Sequence, residues 1–290
     1  MKKLLFILGL FAGWVLAGSA QVSVEVVLDQ KQYLPSETLP AAVKITNLSG
    51  QTIHLGTEPN WLTFGVQSED GFLVLKNSEV PVVGPFDLES SQIATKHVDL
   101  APYFTLGKTG RYKVVATLHI KEWSAEEASA PAFFDIVNGV TIWSLEFGIP
   151  QTGDASNQAP QMLQYSLVKA NFPNQQLRLY AEISDPAGGQ VFKVTSVGPL
   201  VSFSQPEAQV DRSGNLQVLY QCGGALFSYT VMNPQGEFVR REIYDYVNSR
   251  PRLAVDTNGD LTVAGGVRRL KPVEMPRVRM PNEVFDPAHP

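Results

Sequence analysis

The chain has one cysteine, few charges and no excess of basic residues. Among its 290 residues Cys222 is the single cysteine, which excludes a disulfide scaffold and a cysteine-based zinc site. Lys and Arg number 23 against 28 Asp and Glu, and the resulting net charge of −5 excludes a strongly basic nucleic-acid-binding protein. Charged residues make up 18% and apolar residues 44%, so the chain can bury a core and is not a disordered polyelectrolyte.

Long apolar runs are also scarce, and the one that stands out is at the N-terminus. Lys2 and Lys3 precede an apolar stretch at residues 4–16, and small residues follow up to Ala20. This pattern predicts a secretory signal peptide over residues 1–20, cleaved after about Ala20. No later stretch is apolar enough to span a bilayer, so we expect a secreted or periplasmic chain without a transmembrane segment.

Catalytic signatures are missing from the sequence. It has no phosphate-binding loop, no dinucleotide fingerprint, no His-Glu-x-x-His motif and no Gly-x-Ser-x-Gly elbow. His97 and Asp99 share a strand face without a nucleophile, and residues 256–260 lack the glycine position and distal glutamate of an EF-hand. We therefore expect no catalysis, no cofactor and no metal site. Cys222 is expected either to be buried or to form an intermolecular bond.

The first part of the chain alternates between apolar and polar residues. Val22, Val24 and Val26 alternate with Ser23 and Glu25, which is typical of a half-buried strand. Similar short segments, separated by turn residues, follow over about 125 residues without a helical period. This predicts an antiparallel β-sandwich over residues 21–148, and this region carries 15 acidic and 8 basic side chains.

Two segments of this region resemble known domain families. The segment from Asp29 to Glu37, with Tyr33-Leu34-Pro35-Ser36-Glu37 before an alternating strand, resembles the opening of bacterial immunoglobulin-like and macroglobulin-type sandwich domains; Ser36 stands where those domains usually have glycine. The later segment, through Trp61 to Gly110-Arg111-Tyr112, is loosely similar to the BsuPI-type proteinase-inhibitor domain. The resemblance implies an immunoglobulin-like fold in which the Tyr112 hydroxyl braces a corner, and it suggests peptidase inhibition as one function.

The second part of the chain contains a repeat. Seven residues from Ser204 to Val218 are identical to residues 45 positions later, among them Asp211 with Asp256 and Gly214 with Gly259. In each Asp-x-x-Gly-x-Leu turn the carboxylate can accept backbone N–H bonds while glycine supplies the positive φ angle, so these four residues are expected to be structural. Each unit of two hairpins has the size and content of a propeller blade.

The length of this region limits the architecture. Residues 162–270 hold about 2.5 such units, fewer than the roughly four blades of a closed propeller. We therefore expect an all-β chain with an immunoglobulin-like sandwich and a partial propeller-like repeat domain. A linker is predicted at residues 149–161 and a Pro-rich extended tail at residues 271–290. The open repeat edges would be covered by the first domain or would allow a homo-oligomer.

Four residues are candidates for binding a ligand. Trp123 is expected to be exposed at a strand end, while Tyr244, Tyr246 and Arg250 belong to an aromatic and polar loop between two hairpins. Such a surface suits a sugar or a peptide; the alternative, which the pattern favours, is that the rings shield neighbouring hairpins.

Three functions remain open from the sequence. The first is an exported, non-catalytic binding, adhesion or scaffold protein of the cell envelope or extracellular space, with a protein or glycan ligand. The second is a peptidase inhibitor that acts through loops of the sandwich domain. The third is a hydrolase with its site at the rim of the repeat domain. Binding of nucleic acid is not expected.

Overall fold

The computed structural model describes residues 21–149, 161–171, 177–187, 189–201 and 203–269, and it confirms the predicted all-β class. The described residues form 21 strands, two short 3₁₀ helices (Ala101–Tyr103 and Lys121–Trp123) and no α-helix. The strands before the domain junction are β1 Val22–Leu28, β2 Gln32–Tyr33, β3 Pro40–Asn47, β4 Ile53–Leu55, β5 Leu62–Ser68, β6 Phe86–Leu88, β7 Ile93–Asp99, β8 Gly110–Ile120, β9 Ala125–Ala128 and β10 Ala132–Ile136.

The remaining strands belong to the second part of the chain. They are β11 Val140–Ile149, β12 Gln161–Ala170, β13 Arg178–Ser184, β14 Val191–Pro199, β15 Glu207–Val210, β16 Leu216–Gln221, β17 Leu226–Met232, β18 Phe238–Asp245, β19 Arg252–Val255, β20 Leu261–Ala264 and β21 Val267–Arg268. No helix in the described ranges has the length and apolarity needed to cross a membrane.

Two sheets enclose the core of the first domain. Sheet I has the order β1-β3-β7, and sheet II has the order β2-β10-β8-β5 with β9 also paired to β8. Their inward side chains share one core with the small β4–β6 sheet, because alternate residues of each strand point the same way. The Tyr112 side chain lies in this core, and its hydroxyl donates a 2.6 Å hydrogen bond to the Lys108 carbonyl oxygen four residues upstream.

The predicted domain boundary at residue 148 is wrong. Strand β11 pairs along its length with β12, and Phe147 packs in the core of the second domain. The junction therefore lies at residues 137–139, between β10 and β11. The predicted linker at 149–161 joins two strands of one sheet, since Ile149 is paired with Gln161. Its Pro, Gly and Asn content suits a hairpin loop as well as a linker, so composition alone could not separate them.

The second domain is built from antiparallel strands that follow one another in sequence. Sheet III has the order β11-β12-β13-β14, and sheet IV has the order β15-β16-β17-β18-β21. The β19–β20 hairpin stands alone as a two-stranded sheet. Strands β16 and β20 each follow an Asp-x-x-Gly turn and each pair with the preceding strand, as the 45-residue spacing predicts.

These sheets lie face to face in layers. One face of sheet III packs Val168 and Tyr180 around Leu34 of the first domain. Its other face packs with the inner face of sheet IV in a cluster that contains Leu163, Tyr165, Leu167, Leu179, Ala181, Ile183, Val197, Leu200, Leu216, Val218, Tyr220 and Met232. The outer face of sheet IV is covered by the β19–β20 hairpin through Leu253 and Val263. The order of layers is thus first domain, sheet III, sheet IV, hairpin.

Three predicted segments fall wholly or largely outside the described residues. They are the signal peptide at 1–20, the interior of the 149–161 segment and the tail at 271–290.

Candidate functional site

The Asp-x-x-Gly turns have the same geometry in both repeats. In the first, Asp211 Oδ1 accepts hydrogen bonds from the backbone N–H groups of Ser213 (2.8 Å) and Asn215 (2.9 Å). In the second, Asp256 Oδ1 accepts the equivalent bonds from Asn258 (2.8 Å) and Asp260 (2.9 Å). Gly214 and Gly259 have φ angles of 80° and 83°. Each carboxylate therefore stabilises the turn in which it lies by accepting backbone hydrogen bonds.

Asp211 forms further hydrogen bonds that its counterpart does not form with the described part of the chain. Its Oδ2 atom accepts hydrogen bonds from the side-chain amides of Asn215 (3.1 Å) and Gln217 (2.9 Å). Burial alone would raise the pKa of Asp211, but the hydrogen bonds from Gln217 and Asn215 outweigh it and lower that pKa. Gln217 in turn accepts a 2.5 Å hydrogen bond from the Tyr229 hydroxyl. The first turn is thereby linked to the outer face of sheet IV.

This asymmetry predicts unequal effects of two matched substitutions. Asp211→Ala should lower the free energy of unfolding by about 2–3 kcal/mol, because it removes two turn bonds and leaves buried amide groups without their acceptor. Asp256→Ala should cost only about 1 kcal/mol, since its two bonds lie in an exposed turn. Urea unfolding of both variants at pH 7 measures the difference. Equal losses would contradict the role given to Oδ2.

A cluster of polar side chains lies on the outer face of sheet IV. The register pairs Tyr229 with Glu242 and Phe227 with Tyr244, so these four side chains project from one face. The Tyr244 hydroxyl donates a 2.9 Å hydrogen bond to Glu242 Oε2. Burial and the neighbouring Glu242 carboxylate raise the pKa of Tyr244 to about 12, so its hydroxyl remains a donor at neutral pH.

Two arginines complete the cluster. Arg268 Nη2 lies 2.7 Å from Glu242 Oε1, and Arg240 Nε lies 3.9 Å from the same oxygen. The Glu242 side chain is only 8% exposed, whereas those of Arg240 and Arg268 are 59% and 58% exposed. The cluster therefore presents guanidinium donors and the acceptor side of two phenol oxygens around a carboxylate whose two oxygens are already engaged. This arrangement suits binding of carboxylates, amides or sugar hydroxyls.

The structure separates the four predicted ligand-binding residues. Trp123 is half-buried against the core of the first domain and is not the exposed ring we predicted, because its 3₁₀ turn folds it onto that core. Tyr244 packs on the outer face of sheet IV at the far end of the layers. Tyr246 is 49% exposed, and the Arg250 guanidinium lies 5.4 Å from the Phe227 ring centroid. Only the last three residues share a region.

Sequence reasoning missed Tyr229, Arg240, Glu242 and Arg268. A usable signal was present in β18, where Arg240, Glu242 and Tyr244 occupy alternate positions and must share a face. That signal gave no indication of Arg268, because it approaches Glu242 only through the pairing of β21 with β18. The described residues contain no group of three or more His, Cys, Asp or Glu side chains that could hold a metal ion.

Cys222 is half-buried. Of the two expectations for this residue, burial and an intermolecular bond, the structure agrees in part with burial. Its Sγ atom lies 3.6 Å from the Leu226 carbonyl oxygen, and burial raises the pKa of its thiol. The thiolate, which is the reactive form, is therefore disfavoured.

Comparison with known proteins gives little similarity. No protein-family model matches the chain, and no curated protein sequence matches it. Among solved structures, the chain is similar to the sporulation control protein Spo0M from Bacillus subtilis, with 10% sequence identity and a TM-score of 0.29. The matched region covers 61% of this chain and 89% of the Spo0M chain.

Proposed function

We propose that this chain is an exported, non-catalytic binding or scaffold protein of the cell envelope or the extracellular space. One observation carries the proposal: on the outer face of sheet IV, Tyr244, Glu242 and Arg268 form a bonded cluster flanked by the exposed Arg240. Preorganised aromatic and guanidinium groups of this kind hold a polar ligand at low entropic cost.

Binding accounts for this cluster better than hydrolysis does. A general base needs a carboxylate oxygen that can reach a substrate proton. Both oxygens of Glu242 are occupied, one by the Tyr244 hydroxyl and one by Arg268. The free donors of the cluster lie on its guanidinium groups, which favours recognition of an acceptor-rich ligand such as a glycan or a peptide.

The finer architecture is part of the same proposal. We infer that the first domain is immunoglobulin-like, supported by two sheets around one core and by the Tyr112 hydroxyl bond. We also infer that sheets III and IV are blade-like units in an open stack that the first domain covers at one end, supported by the contacts of Leu34 with sheet III. The incomplete third unit would then leave the binding face accessible.

The test is a glycan and peptide array probed with the mature chain, residues 21–290. Any ligand found should bind Arg240→Ala at least about tenfold more weakly, because one exposed guanidinium contact contributes about 1.4 kcal/mol or more. Arg111→Ala is the matched control, since Arg111 is an exposed arginine of the first domain.

Three results would contradict the proposal. One is the absence of any ligand on either array. Another is an array ligand that binds Arg240→Ala and the unchanged chain equally well. Nanomolar inhibition of a secreted serine peptidase or metallopeptidase would instead favour the inhibitor function.

A further inference from the structure

The two edges of the β19–β20 hairpin differ. In an antiparallel pair, alternate residues bond to the partner strand and the others point their N–H and C=O groups outward. Asp256 N bonds to Asp260 O, and the register pairs Ala254 with Thr262. The backbone N–H and C=O groups of Leu253 on β19, and of Leu261 and Val263 on β20, therefore point away from the partner strand.

One of these edges is capped. The outward N–H of Leu253 donates a 2.8 Å hydrogen bond to Glu207 Oε2 of β15. On the other edge, no backbone bond from the outward groups of Leu261 or Val263 to the rest of the described chain is present. An unpaired strand edge is a template for another strand, and proteins usually block such edges. Here one edge is blocked and the other is open.

The open edge faces the unfilled half of the third unit. Sheets III and IV each continue from their first hairpin into a second one, whereas the described part of the third unit consists of β19 and β20 alone. The 256–260 turn lies within reach of the Arg212 side chain of the first turn, since a Cβ atom on Gly259 would fall 2.3 Å from Arg212 Nη2. Leu253 and Val263 pack against Leu219 of β16 and against the buried outer-face side chains of β17, so a further strand beside β20 would lie above β18.

Positive charge predominates beside β18, while the exposed carboxylates of Asp256 and Asp260 lie at the turn end of the hairpin. Arg240 and Arg268 are more than half exposed, and the carboxylate between them is buried and already paired with Arg268. Arg250 and Arg252, which flank the start of the hairpin, are also exposed. A strand added beside β20 would place alternate side chains toward this surface, and acidic side chains there would meet the exposed guanidinium group of Arg240, which lies 3.9 Å from Glu242 and forms no close ion pair with it.

We propose that the open edge of β20 binds an extended, acidic segment of a partner protein by strand addition. The segment forms backbone hydrogen bonds with Leu261 and Val263 and places carboxylates near Arg240 and Arg268. Main-chain bonds supply affinity in this binding mode, and the alternate side chains supply specificity. The proposal rests on the binding function above and identifies its ligand as a peptide rather than a glycan.

The test uses three fluorescein-labelled octapeptides. The first is an acidic peptide in which Thr, Val and Glu residues alternate. The second has Lys in place of every Glu, and the third is the acidic peptide with N-methyl groups on alternate residues, which removes its backbone donors. By fluorescence anisotropy with the mature chain, the acidic peptide should bind at least tenfold more tightly than either twin. Hydrogen exchange should show that the amides of Leu261 and Val263 become protected when it binds.

Two sets of variants test the contribution of the β20 edge and the contribution of the arginine charge separately. Val263→Pro removes one outward N–H without touching a bond between β19 and β20, and it should abolish binding; Val263→Ala controls for the lost side chain and should retain binding. Arg240→Glu should weaken the acidic peptide at least tenfold and strengthen the Lys twin, whereas Arg111→Glu should change neither. Thermal unfolding shows that each variant is folded.

Several outcomes would overturn the proposal. Two of them are equal binding of the N-methylated peptide and no effect of Val263→Pro. A third is binding that appears only when residues 270–290 are deleted. A fourth is occupation of the edge by a second copy, which ultracentrifugation would show as a dimer that Val263→Pro dissociates. If a glycan ligand no longer binds Arg240→Ala but still binds Val263→Pro, that result would contradict strand addition and would leave the proposed binding function intact.

Discussion

Gly56→Ala is expected to lower the free energy of unfolding of the first domain by about 2–4 kcal/mol. Gly56 follows β4 with a φ angle of 85°, which an alanine adopts only with strain of about 1 kcal/mol. A Cβ atom there would also lie 2.4 Å from the Gly84 carbonyl oxygen and 2.9 Å from its carbon. Because these are backbone atoms, the loop must move, at a further cost of about 1–3 kcal/mol.

Gly50→Ala is the matched control for this substitution. Gly50 has nearly the same φ angle, 83°, but a Cβ atom there would meet nothing within 4 Å. It should cost only the strain of about 1 kcal/mol. Chemical denaturation of the two variants isolates the contact with Gly84, and equal losses would show that this close approach has no energetic consequence.

Acidification from pH 8 to pH 4 is expected to strengthen the junction between the two domains by about 3 kcal/mol through one residue, Glu37. This carboxyl group is 6% exposed and accepts hydrogen bonds from Leu34 N (2.8 Å) and Gln30 Nε2 (3.0 Å). Gln30 Oε1 also accepts a 3.3 Å bond from Arg178 of β13, and the Glu37 backbone forms a bridge with Val194 of β14. Glu37 thus holds the segment that contacts sheet III.

Burial sets the sign of the pH dependence. It raises the pKa of Glu37 from 4.5 to about 7, and the charge of Asp29 adds to that shift, while the bonds from Leu34 and Gln30 and the charge of Arg178 oppose it. The folded state therefore binds a proton more tightly than the unfolded state. The stability from this group is complete below about pH 4.5 and is lost as pH rises through about 7. One pKa unit corresponds to about 1.36 kcal/mol, which gives roughly 3 kcal/mol.

Comparison with Glu37→Gln isolates this residue from all other titrating groups. Relative to the unchanged chain, the variant should gain about 3 kcal/mol in its free energy of unfolding between pH 4 and pH 8, because its side chain stays neutral. Urea titrations of both chains across this range provide the measurement. A difference that does not change with pH would mean that the Glu37 carboxyl titrates alike in the folded and unfolded chains.

The sequence by itself determined the all-β class and the repeated hairpins. A period of two in Val22, Val24 and Val26 is a local property of a strand with one buried face, so it survives any arrangement of sheets. The Asp-x-x-Gly turns at Asp211 and Asp256 are equally local, because donors and acceptor lie within four residues. Their equal spacing therefore implied hairpins of the same kind.

Only the tertiary structure decided where the first domain ends and which residues form the candidate site. Strand β11 reads like any other alternating strand, and its pairing with β12 rather than with the first domain depends on partners that local pattern does not specify. Glu242 meets Arg268 because β21 returns to pair with β18, a contact between residues 26 positions apart. Such contacts are set by the packing of whole sheets, which is why the sequence predicted the aromatic loop but not the charged cluster beside it.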